Sequence, residues 1–220
     1  MLYFLLASSL SGWELLIYII AYIFAMMLAL VLHEFSHGFT ACKCGDDTAR
    51  LSGRLSLNPF NHIDIFGLMS FLFIGFGWAK PVPVNSLNFR NYKRGQRLVS
   101  LSGVVTNFIL AFIFSGVAFF FATPLVNNSN LFLNFIGYFL IFGFYINISY
   151  AIFNLLPIYP LDGFNFLKSF LRPDNKYVSF MERYGSIILI IFIVTSAFNY
   201  VYNYFLYGIE FLFYGFWGLF

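Results

Sequence analysis

Charge is scarce in this chain: of its 220 residues only 10% are Asp, Glu, Lys or Arg, where soluble domains carry about 25%. Sixty per cent are hydrophobic, with 33 Phe and 15 Tyr among them. That leaves too little polar surface to clothe a fold of this size in water, so lipid must be the solvent for most of it. No polar stretch is long enough for a separate soluble domain. The expectation is one transmembrane domain over residues 1–220, its core at about 13–163 and a C-terminal span with an aromatic tail at about 185–220. Cysteine is nearly missing as well. Cys42 and Cys44 build no disulfide framework, and no further thiol completes a structural zinc site around them. The net charge of +3 is too small to point to a nucleic-acid partner. The N-terminus has no basic start and no clear cleavage site, and reads as part of the mature protein.

What charge there is has a pattern. Every Lys and Arg falls in one of three segments: Lys43, Arg50 and Arg54; Lys80, Arg90, Lys93, Arg94 and Arg97; Lys168, Arg172, Lys176 and Arg183. By the positive-inside rule all three face the cytoplasm, and the uncharged loop Thr123–Asn130 faces the other side. Apolar runs at Trp13–Thr40, Leu98–Phe121, Leu131–Leu156 and Ile187–Tyr207 are each long enough to cross about 30 Å of hydrocarbon. The tail Phe211–Phe220 suits an interfacial belt. Arg50–Tyr92 differs: Gly53, Pro59, Gly67, Gly75, Gly77, Pro81 and Pro83 interrupt helices there, while Phe66–Trp78 is apolar but short. The expected fold class is therefore an all-α membrane protein, a polytopic helical bundle with a re-entrant or β-hairpin segment between the first and second core helices. Irregular backbone at membrane depth survives only against protein or a water-filled cavity, so that segment should line something.

Chemistry enters at His33-Glu34-Phe35-Ser36-His37, directly after the apolar run Ala25–Leu32. Residues four apart share a helix face, so His33 and His37 can hold one metal ion while Glu34 stands beside them. This is the H-E-x-x-H arrangement of zinc-dependent peptidases. Ionisable groups in a membrane span are costly and mark function. A catalytic zinc usually takes three protein ligands and leaves a position for water. The residues leave the third ligand open among His62, Asp162, Glu14 and Glu210. Asp162 lies in Asn154-Leu155-Leu156-Pro157-Ile158-Tyr159-Pro160-Leu161-Asp162-Gly163 at a depth like that of the histidines, where an aspartate can equally serve as a helix N-cap.

The pair of motifs, His33-Glu34-x-x-His37 and Asn154-x-x-Pro157-x-x-Pro160-Leu161-Asp162-Gly163, resembles the site-2 protease family of intramembrane zinc metalloproteases. Leu57–Asp64, Gly77–Val84 and Ser102–Asn107 resemble its short prokaryotic members, which lack PDZ and CBS domains. The resemblance implies one zinc ion on His33, His37 and Asp162, Glu34 as general base, and Asn154 orienting substrate or stabilising the oxyanion. It implies transmembrane proteins or peptides as substrates, presented in extended form by Arg50–Val84. It also implies a multi-pass location in a prokaryotic plasma (inner) membrane with the active site near the cytoplasmic face. Two departures stand out: Gly103-Val104-Val105-Thr106-Asn107 in place of Gly-Pro-x-x-Asn, and Ile65 where a proline often follows the aspartate. Two other readings compete. A non-proteolytic zinc-binding membrane protein leaves Glu34 without a purpose, and a metal-ion transporter would spread its ionisable groups over several depths. Nothing in the residues sets an oligomeric state.

Overall fold

A computed structural model of the chain describes residues 12–74, 79–126, 128–172, 174–195 and 197–220. Its helices run in the order α1 (Gly12–Cys44), α2 (Thr48–Leu51), α3 (Ile65–Ile74), α4 (Tyr92–Val126), α5 (Leu131–Asn154), α6 (Asp162–Lys168), α7 (Lys176–Val194) and α8 (Ala197–Trp217). Four of them, α1, α4, α5 and α7, are long and apolar enough to cross a membrane. In hydrocarbon each backbone N–H must find its acceptor within the chain, which makes a helix the available state for such runs. Their ends are set by polar punctuation. Gly45 (φ 110) closes α1 in a Schellman arrangement, with Gly45 N donating to Cys42 O (3.1 Å) and Asp46 N to Ala41 O (2.9 Å). Asn130 starts α5 by accepting from Phe132 N and Leu133 N, and Asn175 starts α7 by accepting from Tyr177 N.

Helices α1, α4 and α5 form the core. Lipid supplies no hydrophobic drive between helices, so close approach depends on small residues and polar contacts. Ala21, Ala25 and Ala29 of α1 are fully buried. On the facing helix Phe142 meets the rings of Tyr18 and Tyr22 edge-on at 4.7 and 5.1 Å between centroids. Helix α7 is different: 11% of its apolar window is buried, against 39%, 33% and 44% for α1, α4 and α5. It faces lipid on most sides. Helix α8 is pinned to the core at two points, where Trp217 Nε1 donates to Ser115 Oγ (3.0 Å) and Tyr145 Oη donates to Glu210 Oε1 (2.9 Å).

The C-terminal third departs from expectation. The span read at Ile187–Tyr207 is broken: α7 begins earlier, at Lys176, and ends at Val194, while the expected aromatic tail belongs largely to a separate helix, α8. Hydropathy runs on through Thr195, but α7 ends at Val194 with Thr195 as its C-cap, whose N–H and hydroxyl both donate to Ile191 O (2.9 and 2.7 Å). In the stretch expected to be re-entrant or a hairpin, the described residues form a 3₁₀ turn at Pro59–Asn61, the helix α3 and one isolated antiparallel bridge, Ile63 to Ala79. Residues 75–78 lie outside the described residues.

Beyond α3 the chain forms no helix through Ala79–Val84, where Pro81 and Pro83 favour extended backbone, and it is clamped to the end of α1. Asp46, fully buried, accepts from Asn85 N (2.7 Å), Asn88 Nδ2 (2.8 Å), Thr48 N (3.2 Å) and the Thr48 hydroxyl. Burial pushes its carboxyl pKa up. The hydrogen bonds from Thr48, Asn88 and Asn85 outweigh that and hold it below the ordinary value.

Candidate metal centre

Helix α1 presents His33 and His37 one turn apart, and the two Nε2 atoms stand 3.0 Å from each other. Opposite them α4 comes in at Gly103. A Cβ on that residue would lie 2.5 Å from His33 Cε1 and 2.6 Å from His37 Nε2, so the bare backbone is what lets α4 pass. The third wall is the loop after α5. Gly163 is pressed against the carbonyls of Leu155 and Leu156 so closely that a side chain would overlap them. The loop thus folds back on itself and delivers Asp162 Oδ2 to 3.2 Å from His33 Nε2 and 3.1 Å from His37 Nε2. Asp162 is the first residue of α6; the N-cap is Leu161, so the capping alternative does not hold.

This trio fits a metal ion. Its three edges, 3.0, 3.1 and 3.2 Å, are near the edge of about 3.3 Å that tetrahedral bonds of about 2.0–2.1 Å produce. Asp162 Oδ2 is buried and receives no hydrogen bond among the described residues. An orphaned buried carboxylate oxygen is expensive, and a cation among the three atoms removes the deficit. Burial works against ionised Asp162; His37 and His33, when protonated, outweigh it and hold its carboxyl well below the usual range. Among the described residues, His33, His37 and Asp162 form the group able to hold a metal.

Outer partners set both imidazoles in the ligating form. His37 Nδ1 lies 2.8 Å from Val99 O; a carbonyl only accepts, so the proton sits on Nδ1 and Nε2 offers its lone pair. His33 is oriented through a longer route. Its Nδ1 lies 2.6 Å from Asn107 Oδ1. Asn107 Nδ2 donates to Asn147 Oδ1 (2.8 Å) and Ala29 O (3.2 Å), and Asn147 Nδ2 donates to Gly143 O (2.7 Å). Because the two terminal carbonyls can only accept, both amides are locked, Asn107 Oδ1 must face the ring, and His33 Nδ1 must donate. Asn107 and Asn147 are fully buried. The sequence reading singled out Asn107 only as part of a resembling stretch and passed over Asn147; an amide in the middle of a span was the available signal. Replacing Asn107 by Ala is expected to lower metal affinity about 10–100-fold, measured by competition with a chelator of known affinity.

The other sequence candidates fall elsewhere. Glu34 Oε2 accepts from Val82 N at 2.9 Å, at the edge of the trio. Asn154 Nδ2 donates back to Tyr150 O on its own helix (3.2 Å), and no hydrogen bond among the described residues joins it to the trio. His62 is fully buried and its Nε2 donates to Ser56 O (2.7 Å), outside the metal group. Glu14 lies in the first turn of α1, some five turns from His33, or about 28 Å at 1.5 Å per residue. Glu210 is engaged by Tyr145.

Residues 21–195 match peptidase family M50. A protein designated a zinc metalloprotease, YwhC of Bacillus subtilis, is 36% identical over 185 residues, covering 81% of this chain and 82% of its own. One so designated from Mycolicibacterium smegmatis is 28% identical over 179 residues, 79% of this chain and 66% of the relative. Another, from Methanocaldococcus jannaschii, is 43% identical over 70 residues, 32% of each chain. No solved structure matches.

Proposed function

The chain belongs to peptidase family M50, the site-2 proteases, and is a zinc metalloprotease of the membrane; from that premise we propose that it is an intramembrane endopeptidase with one zinc ion on His33, His37 and Asp162 and with Glu34 as its general base. The observation that carries this reading is the convergence of three ligand atoms within 3.2 Å of one another beside a carboxylate on the next residue of the same helix. A zinc ion held there supplies Lewis acidity, acidifying water to a pKa of about 7 and polarising a carbonyl.

The chain's own residues do the rest. Glu34 takes a proton from the attacking water and delivers it to the departing amide nitrogen, which must come within hydrogen-bond reach of its carboxylate. Asn107 and Asn147 hold His33, and Val99 holds His37, in the form that ligates. Asn154 assists the oxyanion by turning away from Tyr150 O. Substrates are transmembrane segments that unwind locally, since a helical backbone hides its carbonyls. An extended segment can then pair alongside Ala79–Val84. The basic segments support a cytoplasmic-side position for this end of the bundle in a prokaryotic plasma membrane.

The test is metal removal. Purified chain in lipid nanodiscs should cut a model transmembrane peptide, lose that activity when zinc is stripped by a chelator, and regain it when zinc is restored. Cleavage that persists in zinc-free protein would overturn the reading.

A further inference from the structure

The extended segment beside Glu34 is held as a bound peptide would be. At one end Ala79 bridges to Ile63 and Lys80 N donates to His62 O (2.9 Å); at the other Asn85 N is clamped by Asp46. Between them Val82 N donates to Glu34 Oε2. Val82 is buried to 7% exposure, while Pro81 before it is exposed and Pro83 after it is half-buried. Its Cγ1, Ala49 Cβ and Leu55 Cδ1 converge over Gly38, each 3.0–3.2 Å from where a Cβ on that glycine would stand. The side chain thus sits in a small aliphatic slot floored by α1.

The position of this amide is informative. A base that removes a proton from water must hand it to the leaving nitrogen, so the scissile nitrogen has to reach Glu34. Val82 N already occupies that place. The carbonyl of the same peptide bond, Pro81 O, accepts from Arg54 Nη2 (3.1 Å), as does Lys80 O (2.8 Å). That oxygen is held by Arg54 and by none of the three metal-site residues. Pro81 and Pro83 carry no N–H, so Val82 supplies the one main-chain donor between Lys80 and Val84.

We propose that Lys80–Val84 is a built-in pseudo-substrate, seated on Glu34 where the scissile amide of a substrate must lie, with Val82 in the pocket for the residue that follows the cut bond. This rests on the protease reading and on Glu34 as base. A substrate has to lift Val82 off Glu34 and out of its slot before it can pair alongside the segment, and the slot over Gly38 selects a small or branched aliphatic residue after the cleaved bond.

The test uses zinc-loaded full chain in nanodiscs and a panel of model transmembrane peptides, with cut sites read by mass spectrometry. Arg54→Gln frees the Pro81 carbonyl, and Val82→Pro removes the N–H on Glu34 while keeping a similar volume. Each is expected to raise kcat/KM about tenfold or more, the scale of a hydrogen bond to a charged group, through a lower KM. Cut sites should be followed by Val, Ile or Ala. Independently of turnover, adding peptide to the Glu34→Gln variant should speed hydrogen exchange across residues 79–85. Exchange unchanged while peptide binds would overturn the proposal. So would a fall in kcat at unchanged KM in Val82→Pro protein that holds wild-type zinc, which would make the segment a support for Glu34. If no zinc-loaded protein cuts any peptide, the protease reading fails and the exchange measurement alone judges the segment.

Discussion

Glu34→Gln protein is expected to hold as much zinc as the parent and to lose about 10²–10⁴-fold in kcat, the usual worth of a positioned general base. The substitution isolates the proton. Glutamine keeps the length and shape of the side chain, and its oxygen can still accept from Val82 N, which Glu34 Oε2 meets at 2.9 Å. The ligand atoms of His33, His37 and Asp162 are untouched. Zinc content by elemental analysis, with single-turnover cleavage of a model peptide, separates loss of chemistry from loss of metal. Equal cleavage by parent and variant would remove Glu34 from its assigned role. Loss of zinc alongside activity would make it part of the metal site.

Gly103→Ala is expected to be as damaging by a different route. The added methyl would lie 2.5 Å from His33 Cε1, 2.6 Å from His37 Nε2 and 2.7 Å from His33 Nδ1, closer than non-bonded atoms approach. The imidazoles cannot retreat freely, because Asn107 and Val99 hold them from behind. Either α4 moves away from α1, at the cost of about 1–3 kcal/mol typical of overpacking, or the rings rotate off their bonds. In both cases zinc affinity should fall at least as far as the 10–100-fold expected for losing an outer partner. Gly208→Ala supplies the control. Nothing lies within 4 Å of its added Cβ, and it exchanges a poor helix former for the best one. Its melting temperature should hold or rise, with zinc binding unchanged. A Gly103→Ala protein with parental zinc affinity would show that the helices do not meet as described.

The legible part of the site was the part written within one helix turn or one motif. His33 and His37 could be paired from their spacing, because i and i+4 share a face whatever the tertiary fold. Asp162 could be named from the residues only as one of several candidates; the motif resemblance singled it out, and the folding back of the loop at Gly163 brings it to the histidines. The rest depends on contacts between distant residues. The bond from His33 to Asn107 joins positions 74 apart, that from Asn107 to Asn147 joins positions 40 apart, and that from Val82 to Glu34 joins positions 48 apart. No local periodicity announces such pairs. For the fold, the first three spans were readable because each is a long apolar run bounded by charge, glycine or asparagine. The break between α7 and α8 was not, since Thr195 and Ser196 are two small polar residues inside an otherwise apolar run, and hydropathy alone does not end a helix at Val194.

The metal centre also imposes an order in time. Two of the proposed ligands lie on the first of the described helices and the third lies beyond the end of α5. While the chain is being made, the paired imidazoles of α1 enter the bilayer with neither Asp162 nor the amides of Asn107 and Asn147 to complete them. Only when the loop carrying Asp162 has emerged and folded back does the third ligand arrive. A nascent chain of this kind is therefore inert until its core is in place, and a truncation anywhere before α6 yields an inserted protein with no complete metal centre.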